Sequence, residues 1–479
     1  MLRHTGLIIF IGFFLLPGLA CAADTDTHIT KDFTGAWQGI ASLIIFILTY
    51  SLIVLEETLH LRKSKPAMVA AGIIWVFVAL AYAGTGGAAT VESLFRNNLI
   101  EFAELFLFLL AAMTYVNTMD ERGIFNLLRA WLVSRGYTLR KIFWLTGLIA
   151  FFLSPIVDNL TTALLMATVV ATIGGNNHQY VALACINIVV AANAGGAFSP
   201  FGDITTLMVW QQGLVDFQEF FYLFVPAVVN WVVTAGILSF AISRDQPEAV
   251  QTVAELKHGA WIVVGLFLIT ITMAVTFHHY LHLPPVLGMM TGLGILKLFG
   301  YYLQKRDEIF ARMPDPTTTG KSGLTLERPP HTYDIYKNLQ NAEWDTLMFF
   351  YGIILCVGGL SAFGYLILAS EFTFELLGPT TANILIGFAS AVIDNIPVMF
   401  AVLEMNPEMS LGQWLLVTLT AGVGGSLLSI GSAAGVAVMG QCRGVYTFFA
   451  HLRWSWAIAL GYVASILVHF LLNKQLFIA

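Results

Sequence analysis

The sequence predicts an all-α polytopic membrane protein. Of its 479 residues, 57% are hydrophobic and only 11% are charged, and the mean hydropathy is +0.78. Soluble domains carry roughly 25% charge. Several apolar runs also reach the roughly 20 residues that a helix needs to cross the hydrocarbon core. These runs do not alternate in polarity, as the ~10-residue strands of a membrane barrel would. The net charge of −6 says little in such a chain.

The first element reads as a signal peptide over residues 1–22. Arg3 and His4 give a basic start, Leu7 to Leu16 an apolar core, and Ala20-Cys21-Ala22 a small-residue cleavage site. The alternative is an uncleaved extra helix. The polar stretch Ala23 to Asp32 would lie outside the cytoplasm in either case. An N-terminal span follows within 23–65. Further spans are expected near 66–84, 98–119, 181–212, 218–243, 259–280, 285–303, 344–367, 411–441 and 453–473.

Two other apolar stretches, 142–173 and 381–405, carry the phrases Ser154-Pro155-Ile156-Val157-Asp158-Asn159 and Ser390-Ala391-Val392-Ile393-Asp394-Asn395. If both are re-entrant hairpins, most of the 23 Lys and Arg residues fall on one side, including Arg62, Lys63 and Lys65. That is the positive-inside pattern of a cytoplasmic face. The chain then divides into two halves of opposite orientation. The first inverted repeat covers 66–245, a connecting span covers 246–284, and the second repeat covers 285–479, with a cytoplasmic linker at 305–341. Inverted repeats with interrupted helices meeting near the midplane are the usual plan of secondary transporters.

Asp158 and Asp394 lead the candidate site. A charge at the bilayer centre costs at least about 2.5–3.5 kcal/mol on insertion scales, which a bound cation or proton offsets. Ser154, Asn159, Thr161, Ser390 and Asn395 supply further hard oxygens, which suit an ion such as Na+. Pro155 and Pro397 suit non-helical tips. Asp and Asn also cap a returning helix, so a structural role stays open for each tip.

The broken helices are the next candidates. Asn193 to Thr206 and Gly422 to Gly435 are rich in Gly and Ser, and in mid-span they free backbone carbonyls. Asn193, Ser199, Asp203, Thr205, Ser429 and Ser432 are candidate ligands. Asp203 has no acidic counterpart, because Ser432 stands at the matching position. The glycines equally suit close helix packing. Glu101, Glu104, Glu343 and Asp345 are expected at the starts of paired helices, favoured there by the dipole, with proton relay as the alternative. His278, His279 and His282 read as an outer interfacial loop, and Asp120 and Glu121 as interface anchors.

Some activities find no support. No phosphate-binding fingerprint appears, so an ATP-driven pump is unsupported, and no H-E-x-x-H cluster marks a metallohydrolase. The chain is therefore not expected to be an enzyme, and no cofactor is expected. Cys21, Cys185, Cys356 and Cys442 lack metal-site spacing and read as packing residues.

Taken together, the two S-x-x-x-D-N phrases, the G-G-x-x-S-P-x-G-D-x-T break and the G-G-x-x-x-S-x-G break resemble the NhaD-type sodium/proton antiporters, relatives of the arsenite and dicarboxylate carriers. The resemblance implies export of Na+, often also Li+, in exchange for H+, serving pH and sodium homeostasis in a bacterial inner membrane. It also implies a homodimer whose subunits combine a scaffold with an elevator-type transport domain. Carried over by motif, the ion-site positions are Ser154, Asp158, Asn159, Thr161, Asn193, Asp203, Ser390, Asp394, Asn395, Ser429 and Ser432. The competing expectation is a Na+-coupled anion symporter of the same fold, which two fixed tip carboxylates would oppose by repelling an anionic substrate.

Overall fold

The computed structural model of the chain describes residues 32–59, 61–84, 86–243, 245–246, 256–312, 335–340 and 342–478. The expected signal segment, Cys21 and residues 313–334 of the expected linker lie outside them. The principal helices are α1 (Trp37–Val54), α2 (Ser64–Ala83), α3 (Ala88–Glu121), α4 (Leu139–Val157), α5 (Asn159–Gly174), α6 (His178–Gly196), α7 (Ile204–Gln211) and α8 (Phe224–Ser239). They continue as α9 (Ala260–Leu281), α10 (Pro285–Arg312), α11 (Trp344–Phe363), α12 (Pro379–Ser390), α13 (Asn395–Met405), α14 (Leu411–Gly424), α15 (Ala433–Gln441) and α16 (Ser455–Leu472). Ten helices among the described residues are long and apolar enough to cross a membrane.

The apolar runs break where polar or small residues interrupt them. The stretch 142–173 divides at Asp158, between α4 and α5, and 381–405 divides between α12 and α13. The expected spans 181–212 and 411–441 each divide at their Gly-Ser segments, into α6 and α7 and into α14 and α15. Taken by itself α4 is long enough to cross a membrane, whereas α14 falls short of that length.

Several expectations need correction. Pro155 lies inside the last turn of α4, and Pro397 lies in the first turn of α13, so neither proline forms the non-helical tip. A first helical turn tolerates proline because its N–H groups lack intrahelical partners. Glu101 and Glu104 are not at a helix start, because α3 begins at Ala88. Hydropathy registers only the apolar part of α3, while the polar turn before it is equally helical and carries an exposed Glu92–Arg96 pair. Likewise α10 runs on to Arg312, through residues expected in the linker. The run Gln304-Lys305-Arg306-Asp307-Glu308 is polar but rich in good helix formers. Residues Ile335–Gln340 are helical as well.

The chain forms two compact units. The smaller lies within Ala103–Trp131 and Thr252–Trp344. There the Tyr115 hydroxyl donates to the Gly292 carbonyl (2.7 Å) and bonds the Thr270 hydroxyl (2.8 Å). Buried Asn338 donates to Glu121 (2.7 Å) and Thr118 (3.2 Å), so Glu121 helps tie the helix Ile335–Gln340 to α3.

The larger unit lies within Met1–Phe102, Leu132–Gln251 and Asp345–Ala479. At its centre are α6 and α11, whose apolar windows are 89% and 83% buried against 28–44% for the other eight helices. These two therefore see protein on nearly all sides. The more exposed helices turn large apolar residues outward, such as Val69, Val76, Phe152 and Leu467, as a lipid-facing surface requires. On α6, Asn187 donates to the Phe143 carbonyl (2.8 Å) and accepts from Trp231 Nε1 (2.9 Å), joining α4, α6 and α8. In the second half, Thr420 donates to the Asn383 carbonyl (2.7 Å) and Tyr462 to the Ile384 carbonyl (2.8 Å), joining α12, α14 and α16.

Candidate cation site

The site lies in the larger unit and is built from helix ends. Asp158 caps α5, Asp394 caps α13, Asp203 caps α7 and Ser432 caps α15, each accepting from a backbone N–H of the helix it starts. Asp203 (φ −144°, ψ 146°) and Ser432 (φ −143°, ψ 150°) have the same backbone conformation, as their matching sequence positions predict. A helix N-terminus carries partial positive charge, which favours carboxylates at three of the four ends.

Small residues bring these ends together. A Cβ on Gly195 would strike the Phe151 carbonyl of α4, and one on Gly424 would strike the Gly387 carbonyl of α12. Gly196 packs against the Gly202 carbonyl, and Gly425 against the Gly431 carbonyl, which folds each break back on itself. Glycine at these positions lets the helices cross at backbone contact. Ser154 and Ser390 share a role as well. Ser154 donates to the Ala192 carbonyl (2.6 Å) and Ser390 to the Ala421 carbonyl (2.7 Å), pinning each tip to a broken helix. Ser199 donates to the Pro155 carbonyl (3.0 Å).

Asp203 is the hub. Its carboxylate is 3% exposed and accepts from Asn159 Nδ2 (2.8 Å), Asn395 Nδ2 (2.9 Å) and the Thr205 N–H (3.0 Å). The asparagines of both tips therefore meet on one acid of the first broken helix. Asn159 also donates to Asn193 Oδ1 (3.1 Å), and Asn193 donates to Ser426 (2.8 Å) and Ser432 (3.0 Å) of the second. A buried carboxylate is tolerated when donors satisfy it. Asp203 lies within electrostatic range of both Asp158 and Asp394.

The tip acids are held differently from each other. Asp158 has φ 78° and ψ 157°, a region almost reserved for glycine that costs about 1–3 kcal/mol. Its carboxylate accepts from the Thr161 N–H (2.8 Å) and hydroxyl (2.9 Å). Asp394 instead pairs with Lys63 Nζ at 2.9 Å. Lys63 was expected to be a charge that orients the chain in the membrane, and the structure gives it this second role. In the connector before α2, Glu56 lies near Lys63. Burial raises the Glu56 carboxyl pKa, and the Lys63 charge opposes that shift.

Other candidates are placed apart from the hub. Ser429 is fully buried and, among the described residues, its hydroxyl has no hydrogen-bond partner, which leaves an oxygen to offer an ion. Glu101 accepts from Gln212 (3.2 Å), Glu343 is exposed beside the start of α11, and Asp345, in its first turn, accepts from Ser64. Cys185, Cys356 and Cys442 are free and buried. Sequence reasoning missed Ser426 and the pairing of Lys63. Ser426 directly follows Gly424-Gly425 and was legible as part of that break; nothing in the sequence linked Lys63 to Asp394. Among the described residues no three His, Cys, Asp or Glu side chains gather as a metal site. An ion held at the hub would take carboxylate, amide, hydroxyl and carbonyl oxygens together.

A multi-pass helical membrane protein with a buried carboxylate-amide cluster at interrupted helices is the class that fold and site define. Residues 43–422 match the family described as "Citrate transporter" (CitMHS). Over 99% of its length the chain is 52% identical to the Na(+)/H(+) antiporter NhaD of Vibrio cholerae, covering 100% of that protein. It is 54% identical to the Na(+)/H(+) antiporter NhaD of Alkalimonas amylolytica, over 93% of each chain. It is 49% identical to the Na(+)/H(+) antiporter NhaD of Halomonas elongata, over 99% of this chain and 97% of that one. The chain belongs to the NhaD-type antiporter family of the ion-transporter superfamily.

Proposed function

We propose that this protein exchanges cytoplasmic Na+, with Li+ as a second cargo, for external H+ across a bacterial inner membrane. The observation that carries the reading is the meeting of both tip asparagines on the buried Asp203 carboxylate, at the ends of four half-helices. Identity of about half to the NhaD antiporters over nearly the whole chain supports it. Asp158, Asp203 and Asp394 supply the negative charge, and Asn159, Asn193, Asn395, Thr161, Thr205, Ser429 and Ser432 supply neutral oxygens.

Exchange follows from competition for the same oxygens. On the alkaline cytoplasmic side the carboxylates are free to take Na+. On the outside protons displace the ion, and the protonated site returns. Moving an empty cluster of carboxylates would carry the full desolvation cost, whereas the occupied or protonated cluster would not. This coupling needs no cofactor and no covalent chemistry. In the proposed cycle an elevator-type transport domain, carrying the tips and broken helices, moves against a scaffold within a homodimer. Glu101, Glu104, Glu343 and Asp345 remain candidates for proton relay.

The family description "Citrate transporter" favours a second reading, Na+-coupled uptake of a polycarboxylate. Three carboxylates gathered around the site oppose an anionic substrate. The test is Na+-dependent dissipation of a pH gradient in everted vesicles. Asp158→Asn and Asp394→Asn are each expected to abolish it, and full activity in both would refute the reading. Labelled citrate uptake driven by a sodium gradient would establish the alternative.

A further inference from the structure

From the acid onward both tips run Asp, Asn and an aliphatic residue, and they differ in chemical type at the third residue after the acid. Asp158-Asn159-Leu160-Thr161 places a threonine there, and Asp394-Asn395-Ile396-Pro397 places a proline. Thr161 satisfies both Asp158 oxygens, one through its N–H and one through its hydroxyl. Pro397 has neither group to offer. Asp394 Oδ1 receives the Ile396 N–H at 3.5 Å, and Oδ2 faces Lys63 Nζ at 2.9 Å. The Lys63 and Asp394 side chains are 14% and 11% exposed, so this ion pair is largely withdrawn from solvent screening.

Lys63 is held by elements other than the tip. It directly precedes α2, whose first residue, Ser64, donates to Asp345 at the start of α11. The α2–α11 pair is fixed further on by Trp75 Nε1 donating to the Leu355 carbonyl (2.8 Å) and the Tyr82 hydroxyl to the Ala362 carbonyl (2.9 Å). The ammonium also lies 4.2 Å from the centre of the Phe349 ring on α11, a favourable cation–π position. It is thus presented to the tip by a packed helix pair.

We propose that Lys63 is an internal counter-cation that competes with the transported cation for the Asp394 carboxylate, and so positions the second tip and sets its cation affinity. This rests on the reading of Asp394 as a cation ligand. Without cargo, the ammonium neutralises an acid that its own helix leaves half satisfied. When cargo binds, Lys63 gives up Asp394 and keeps the Phe349 ring and Glu56 as neighbours. The tip then trades one cation for another. Asp158, satisfied by Thr161, needs no such partner, so the two tips serve one site unequally.

The test uses the full-length protein in proteoliposomes, with Na+-driven proton movement followed against Na+ concentration. Lys63→Met is expected to lower the apparent KM for Na+ by roughly fivefold or more, since an exposed ion pair is worth up to about fivefold and this one is screened less, and to reduce kcat because cargo is displaced more slowly. Lys63→Arg keeps the charge and should hold KM near the wild-type value. Lys63→Gln separates competition from support. It can still donate a hydrogen bond to Asp394, so a structural role predicts wild-type behaviour, whereas competition predicts the Met result. If a variant folds but does not transport, Na+-dependent thermal stabilisation in detergent reads its affinity directly. Tighter Na+ binding in the Met and Gln variants supports the proposal. Unchanged or weaker binding in either one overturns it while wild-type exchange still stands. Failure of the wild-type protein to exchange Na+ for H+ would instead remove the functional reading itself.

Discussion

Asp203→Asn is expected to abolish Na+-dependent proton movement in everted vesicles while leaving a folded protein. The fold should survive because asparagine caps a helix about as well as aspartate does, and the Thr205 N–H can still find its one amide oxygen. The hub cannot survive. Asn159 and Asn395 both donate to Oδ2 while the Thr205 N–H takes Oδ1, so with the amide oxygen kept for Thr205 the replacement would turn its NH2 group toward both asparagine donors. The substitution also removes a charge from a site that is nearly dry. Stripping one partner from a buried charged pair costs about 3–5 kcal/mol, and each 1.4 kcal/mol is about tenfold in affinity. Cation affinity should therefore fall by more than two orders of magnitude. Ser432→Ala, at the matching cap of α15, loses a neutral cap worth about 1 kcal/mol and the hydroxyl that accepts from Asn193 (3.0 Å), but no charge, and should lower transport far less than Asp203→Asn. Retention of half the wild-type rate by the Asp203→Asn protein, at equal abundance in the vesicles, would remove Asp203 from the centre of the site.

The tips and breaks were legible because polarity at membrane depth is costly, so each Asp-Asn phrase and each Gly-Ser break stands out from apolar sequence. The division of labour among their residues was not. Duplication drew attention to Asp158 and Asp394, yet the residue on which the two halves meet is the unduplicated Asp203. Periodicity cannot show this, because the meeting needs side chains from α5, α13 and the α6–α7 break to reach one point. Ser154 and Ser390 were read as ligands from composition, and their hydroxyls instead donate to helix carbonyls. The pairing of Lys63 was not legible. A charge census weighs lysines by the side they lie on, and it has no means of following one side chain to an acid in the second half of the chain. Glu101 and Glu104 were misplaced for a related reason, since hydropathy sees the apolar part of a helix and not its polar first turns.

The glycines at the breaks admit two explanations, and a pair of substitutions separates them. If they serve mainly to free carbonyls for an ion, Gly195→Ala and Gly424→Ala should fold normally and lose transport. The geometry favours the other outcome. In each case the added methyl would meet a backbone carbonyl of the crossing helix, Phe151 in one half and Gly387 in the other. A backbone atom cannot rotate aside as a side chain does, so the helices themselves would have to separate. Overpacking a core typically costs about 1–3 kcal/mol, and a backbone contact should lie at or above the top of that range. Both variants are expected to unfold at markedly lower temperature than the wild type in detergent, with less protein reaching the membrane. Gly236 is the control. It sits inside α8 with no atom near an added methyl, and a glycine in a helix interior is worse than alanine by about 0.5–1 kcal/mol. Gly236→Ala should therefore leave stability unchanged or raise it. The sign of the shift depends on where in the fold the methyl is placed, and a lowered midpoint at Gly195 and Gly424 alone would show that close helix crossing is what brings the two tips to a common carboxylate.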